Sequence, residues 1–136
     1  MSKVFKVMWV VVMAVVLLLP GCKKSDDTLL PDICFTWEWV ESVGGIVLTE
    51  KNPDSEGYTQ KLEFREDGHY VKYRNDLVIG SGTFTITSAE SMLDGVEYDM
   101  VVFDDGSPAQ AILILTDTML ILRDECDDNY AHTYKK

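Results

Sequence analysis

Two histidines, His69 and His132, are the side chains in this sequence that could serve as a general base near neutral pH. A hydrolase needs a nucleophile held against such a base. Neither histidine lies in a recognisable nucleophile motif, and His132 lies between Tyr130 and Tyr134 on one face of a predicted strand. The sequence therefore favours packing or surface positions for both histidines. It predicts no catalytic residues and a protein that is not an enzyme.

Acidic residues are clustered at three places and could in principle bind a cation: Asp26-Asp27, Asp104-Asp105 and residues 124–128. Zinc needs three or four clustered ligands, and a calcium-binding EF-hand needs a twelve-residue spacing of oxygen ligands. The sequence shows neither pattern. We expect solvated turns, no metal site and no cofactor.

Aromatic side chains are the better functional lead, because they recur at positions that would face the interior of a sheet. One interpretation is an apolar ligand pocket with polar hydroxyls at its rim. The other is a packed core, in which large rings supply buried area. The candidate ligand-binding residues are Trp37, Trp39, Tyr58, Phe64, Tyr70 and Phe84.

The N-terminus has the pattern of a secretory signal peptide. Lys3 and Lys6 lead into an unbroken run of 13 apolar residues, 7–19. A helix needs about 20 residues to cross a bilayer, so this run is too short to span one. Its length and basic flank are typical of a cleaved signal. We predict that residues 1–21 are removed.

Leu19-Pro20-Gly21-Cys22 resembles the lipobox of bacterial lipoproteins. The resemblance implies cleavage before Cys22, diacylglycerol on its thiol and a further acyl chain such as palmitate on the new amine. One acyl chain binds a membrane only marginally, whereas two or three hold it stably. The alternatives are an ordinary signal peptide with an incidental cysteine and an uncleaved signal anchor.

Residues 22–33 are largely polar and charged after the cysteine and predict a flexible tether. Lys23 followed closely by Asp26 and Asp27 also resembles the signal that some Gram-negative bacteria use to place lipoproteins on the outer face of the outer membrane. The predicted location is the outer membrane, lipid-anchored at the cell surface, with its periplasmic face as the alternative.

The charge balance excludes some partners. The full chain has a formal net charge of −11, and loss of Lys3 and Lys6 leaves ten basic against 23 acidic residues, or −13. Nucleic acid and anionic lipid surfaces both require basic groups. We expect no nucleic acid partner and membrane contact through the lipid anchor alone. The sequence indicates no particular protein partner.

Two cysteines remain after Cys22. An exported protein in an oxidising compartment can pair Cys34 with Cys126. Such a bridge would close a loop of roughly ninety residues and stabilise the fold by about 4–5 kcal/mol in the chain-entropy model. Two buried thiols are the alternative, and the disulfide is favoured.

Alternation of apolar and polar residues with a period of two recurs along the chain and predicts half-buried strands. Asp67-Gly68 and Asn75-Asp76 are turn signals between them. No helix is predicted beyond one turn within residues 88–93. The predicted strands are 34–41, 58–65, 69–74, 77–87, 96–103, 110–115, 118–123 and 130–135.

Eight sequential antiparallel strands predict one all-β domain, 34–136. Closure into an up-and-down barrel removes both sheet edges and leaves room for side chains or one small ligand. A two-sheet β-sandwich is the fallback.

Several segments together resemble the lipocalin-like lipoproteins of Gram-negative bacteria. They are 37–40 with Gly44-Gly45, 62–70, 82–86 and 120–126 with the aromatic strand that follows. The resemblance covers residues 34–134 and implies an eight-stranded barrel related in shape to carriers of small hydrophobic molecules. Classical lipocalins have a glycine two residues before the tryptophan of the first strand. This sequence departs from that pattern, because Phe35 occupies the place of the glycine before Trp37.

Two functions follow as expectations. The first is a membrane-anchored lipoprotein whose barrel binds a small hydrophobic ligand. The second is a non-enzymatic structural or protein-interaction module of a cell-surface assembly, with a filled barrel. An open interior favours the first and a filled interior the second.

Overall fold

The computed structural model describes residues 32–136. The predicted signal peptide, the lipidation site Cys22 and residues 23–31 of the predicted tether lie outside the described residues. In the described part, nine strands and one short helix follow one another: β1 Thr36–Gly44, β2 Thr49–Lys51, α1 Pro53–Glu56, β3 Gln60–Phe64, β4 His69–Arg74, β5 Leu77–Glu90, β6 Glu97–Phe103, β7 Gln110–Leu115, β8 Met119–Asp124 and β9 Tyr130–Lys135.

Eight of the strands close into an antiparallel up-and-down barrel. Neighbouring strands pair in the order β1, β3, β4, β5, β6, β7, β8, β9, and β9 pairs back onto β1. The seam runs from Glu38 opposite Lys135 to Gly44 opposite Tyr130. The short β2 adds a ninth strand beside the end of β1. The predicted all-β barrel is confirmed, and the sandwich is not adopted.

The period-two pattern places the apolar side chains inside. In β1, Trp37 and Trp39 are buried while Thr36 and Glu38 are exposed. The pairing register of β1 against β9 shifts between Trp39 and Glu41, which is the signature of a β-bulge. Phe35 alternates with the two tryptophans in the sequence, but it lies before β1 and is 44% exposed.

The barrel has two unlike ends. The closed end holds the start of β1, the β3–β4 turn and the β7–β8 turn. Ile33 is fully buried there, and the indole N–H of Trp37 donates to its carbonyl at 2.9 Å. Residue 33 was expected in the tether, but it belongs to the core. The apolar cluster above it is Trp37, Leu62, Phe64, Tyr70, Phe84, Val101, Phe103, Leu120 and Leu122.

The open end holds the β4–β5, β6–β7 and β8–β9 turns. The β4–β5 hairpin turns at Asn75 and Asp76, as predicted, and both residues have positive φ, 48° and 64°. These angles suit the two-residue hairpin turns that match strand twist. Within residues 32–136, no helix is long and apolar enough to cross a membrane.

Two elements were not predicted, the strand β2 and the helix α1. The helix is one turn long and is held by its caps: Asn52 and Ser55 form a reciprocal capping box, Pro53 begins the helix, and Gly57 ends it at φ 78°. These caps satisfy backbone groups that a turn this short would leave unpaired. Strand β5 also extends to Glu90, into the segment where a helical turn was expected.

The predicted disulfide is absent, since Cys34 and Cys126 are both free thiols. Topology explains the error. Antiparallel pairing places the start of β1 beside the end of β9, whereas Gly44 at the end of β1 lies opposite Tyr130. Cys34 therefore lies at the closed end and Cys126 at the open end. The nine residues of β1 span about 30 Å between these ends, and a disulfide needs Cα atoms within about 7 Å.

Candidate functional site

The upper half of the barrel is not filled by the core and contains a cavity of about 330 Å³ that opens at the open end. This volume is at the small end of the roughly 300–1,000 Å³ typical of ligand pockets. Its wall comes from α1, β2 and every barrel strand except β8. The lining residues are Trp39, Ser42, Lys51, Glu56, Tyr58, Gln60, Lys61, Leu62, Lys72, Ile79, Phe103, Gln110, Tyr130, His132 and Tyr134.

Two of the six candidate ligand-binding residues lie in this wall. Trp39 and Tyr58 stack with ring centroids 6.1 Å apart and an interplanar angle of 22°. The guanidinium of Arg74 lies 4.1 Å from the centroid of the Tyr58 ring. The guanidinium thus lies over the face of the Tyr58 ring, and Trp39 stacks with the same ring, so the pair gives the cavity an aromatic wall.

The other four candidates, Trp37, Phe64, Tyr70 and Phe84, do not line the cavity. All four are at most 4% exposed and pack in the lower half of the barrel. Phe64 and Phe84 meet edge to face at 4.8 Å between centroids. These four residues therefore belong to a packed core, whereas Trp39 and Tyr58 lie in the wall of a pocket.

A chain of hydrogen-bonded side chains forms one side of the cavity. The indole N–H of Trp39 donates to Ser42 Oγ at 2.8 Å, and Ser42 Oγ lies 2.6 Å from Nδ1 of His132. On the other side of the ring, Nε2 lies 3.1 Å from both carboxylate oxygens of Asp124. Gln110 also donates to this carboxylate, at 2.8 Å.

The donors and acceptors of these side chains determine where each proton lies. A carboxylate accepts, so neutral His132 carries its proton on Nε2 and donates to Asp124. Nδ1 is then an acceptor and receives the hydroxyl proton of Ser42. Ser42 Oγ in turn accepts from Trp39. The chain thus has one consistent direction, from the Trp39 indole to the Asp124 carboxylate.

The surroundings of the chain shift two pKa values. Burial would raise the pKa of Asp124, but hydrogen bonds from His132 and Gln110 and from the Tyr130 backbone N–H outweigh it and lower that pKa below its ordinary value. Burial, followed by the charge of Asp124, raises the pKa of Tyr134 well above its ordinary value. Asp124 is thus held charged and Tyr134 neutral across the physiological range.

The order serine, histidine, aspartate is also that of a nucleophilic triad. A nucleophilic hydroxyl must have a lone pair free to reach the substrate. Ser42 is 5% exposed, and one of the two lone pairs of its Oγ already accepts the Trp39 N–H, so burial and this hydrogen bond together restrict the approach of a substrate. Its geometry is that of a hydrogen-bonding wall group that orients His132.

Three lysines, Lys51, Lys61 and Lys72, line the cavity beside a single carboxylate, Glu56. Lys61 is 3.0 Å from Asp76, and Lys72 is 3.7 Å from Asp105. The ammonium of Lys51 lies 4.9 Å from the centroid of the Tyr130 ring. The cavity therefore combines an aromatic wall with a cationic margin.

Sequence reasoning missed the polar part of the site. The signal was available in β9, where Tyr130, His132 and Tyr134 alternate and so share one face. Ser42 and Gln110 give no comparable signal, because the partners that make them functional come from distant strands. Among residues 32–136 there is no cluster of three or more residues able to hold a metal ion.

No family model, curated protein or solved structure is significantly similar to this chain.

Proposed function

We propose that this protein is a membrane-anchored lipoprotein whose lipocalin-like barrel binds a small hydrophobic molecule in its open half. The observation that supports binding is the cavity of about 330 Å³ beside the stacked rings of Trp39 and Tyr58. Apolar surface leaving water contributes about 25 cal/mol per Å², so a ligand against these rings gains binding energy without any covalent step. The proposed function is not enzymatic.

Support for the anchor comes from the signal peptide pattern and from Cys22 in its lipobox context. The test is membrane fractionation of the Cys22→Ala variant expressed in a Gram-negative host. We expect the wild-type protein in the membrane fraction and the variant in the soluble fraction. Membrane association that is unchanged in the variant would contradict the anchor.

The binding function is tested by native mass spectrometry of the protein purified gently from its own host. We expect a small hydrophobic species to co-purify with it. Ile79 lines the cavity, so Ile79→Trp should fill the space and abolish that species. Val78 is the preceding residue of β5 and is not in the wall, so Val78→Trp is the matched control and should retain the ligand.

A second candidate function is a protein-interaction module, and the apolar tips of the open end favour it. These tips are residues 46–48, which are 80–88% exposed, and residues 77–79, which are 54–71% exposed. Exposed apolar groups gathered at one end are typical of interaction surfaces. A bare monomer mass in the native spectrum, together with loss of a co-purifying protein in Val47→Ser, would favour this candidate over ligand binding.

A further inference from the structure

The cavity wall carries basic side chains, although the protein as a whole is acidic. The chain has 23 acidic and 12 basic residues and a formal net charge of −11. The cavity wall nevertheless contains three lysines, Lys51, Lys61 and Lys72, and one carboxylate, Glu56. A concave surface with lysines concentrates anions locally, even on an acidic protein.

Lys51 differs from the other two lysines in having no carboxylate partner. Asp76 neutralises Lys61, and Asp105 lies beside Lys72. Among residues 32–136, no carboxylate oxygen lies within 4.0 Å of the Lys51 ammonium. Its nearest described aromatic partner is the Tyr130 ring, at 4.9 Å from the centroid. Lys51 is thus a cation available to a ligand at the cavity wall.

The position of Lys51 is fixed by β2. Lys51 pairs with Ser42 of β1 in the β1–β2 ladder, and Ser42 also lies opposite His132 of β9. The ammonium, the aromatic wall and the Ser42–His132 chain therefore border one cavity. A ligand in this cavity can therefore contact the aromatic wall with its apolar body and Lys51 with its charged group.

We propose that the ligand of this cavity is a small amphipathic anion, with an apolar or aromatic body and one carboxylate or other acidic group that pairs with Lys51. This rests on the proposed binding function and specifies its ligand class. A charge-assisted hydrogen bond to an ammonium is about twice as strong as a neutral one. It therefore discriminates an acid from a neutral molecule of the same shape.

The test compares two probes of nearly identical shape, 1-naphthylacetate and the neutral 1-naphthylacetamide. Binding is measured by isothermal titration calorimetry on the full chain in nanodiscs of zwitterionic lipid, with empty discs subtracted. We expect the acid to bind at least about tenfold more tightly than the amide, a difference of about 1.4 kcal/mol. Raising the salt concentration should reduce this difference.

Variants assign the preference to its residue. Lys51→Met should weaken acid binding about tenfold and leave amide binding unchanged. Lys136→Met is the matched control, because it removes the same charge at the closed end, where Lys136 lies 3.3 Å from the Phe35 ring centroid. Acid binding in the control should equal that of the wild-type protein.

The contrary outcomes separate the two proposals. Equal, saturable binding of acid and amide would overturn the anion preference and leave the binding function in place. An acid preference that persists in Lys51→Met would overturn the role of Lys51. Binding of neither probe would overturn the anion proposal and count against the binding function as well.

Discussion

The hydroxyl of Ser42 on β1 lies 2.6 Å from Nδ1 of His132 on β9, across 90 residues of sequence. The contact lies on the seam where the first and last barrel strands pair. It links the Trp39 indole in the cavity wall to the Asp124 carboxylate at the end of β8. These hydrogen-bonded side chains therefore cross the seam of the barrel and form part of the cavity wall.

Ser42→Ala should lower the free energy of unfolding by about 1–3 kcal/mol, because it leaves the buried Trp39 N–H and the His132 Nδ1 without partners. The measurement is urea unfolding followed by far-UV circular dichroism. Ser81→Ala is the matched control at an exposed position, where the change should stay within about 0.5 kcal/mol. Equal stabilities for the two variants would show that the chain does not stabilise the seam.

Asp124→Asn should reduce the amount by which the free energy of unfolding falls as the pH is lowered. The pKa of Asp124 is lower in the folded than in the unfolded chain, so its charge stabilises the fold above its ordinary pKa. That contribution disappears as the pH falls from the ordinary pKa, near 3.9, toward the folded one. Urea unfolding between about pH 6 and pH 2.5 should show a steeper decline in the wild-type protein than in the variant. Parallel curves would contradict this assignment.

Cys34 and Cys126 should both react with iodoacetamide in the folded, unreduced protein. Burial, with Glu66 and Asp67 nearby, raises the pKa of Cys34, and burial also raises that of Cys126. The thiolate is the reactive form, so labelling should be slow at neutral pH and accelerate as the pH rises. Peptide mapping by mass spectrometry measures each site separately. A disulfide-linked peptide containing both cysteines would contradict the assignment of two free thiols.

Ile33→Ala should destabilise the domain by about 2–5 kcal/mol, the range for truncation of a large buried aliphatic side chain. Ile33 is fully buried in the core cluster at the closed end. Ile46→Ala is the control, because Ile46 is 88% exposed and its loss should change stability by less than about 0.5 kcal/mol. The shift in urea midpoint decides whether the segment before β1 is part of the domain.

Most of the strands could be predicted because they combine two local signals, an alternating pattern and a turn at the end. The strands 110–115 and 118–123 were instead predicted from apolar runs on either side of a turn. Leu62 and Phe64 alternate with Lys61 and Glu63, and Asp67-Gly68 follows. The elements β2 and α1 could not be predicted in this way, because three or four residues are too few to show a periodic pattern. Their stability comes from pairing with β1 and from the Asn52 cap.

The cavity could be predicted only in part, because alternation tells which face of a strand is inside but not how far along the barrel a side chain lies. Trp37 and Trp39 share the inner face of β1, yet Trp37 packs in the core and Trp39 borders the cavity. The disulfide prediction failed for a related reason. Closure of the barrel was predicted correctly, but its antiparallel seam places Cys34 and Cys126 at opposite ends.

The entry of the chain at the closed end has a consequence for orientation. Ile33 and the start of β1 lie at the end opposite the cavity mouth. If Cys22 carries the proposed lipid, the segment that leads from the lipid reaches the barrel at the end opposite its mouth. The attachment point would then leave the mouth unobstructed, and cargo would reach the cavity without passing the place where the chain enters the barrel.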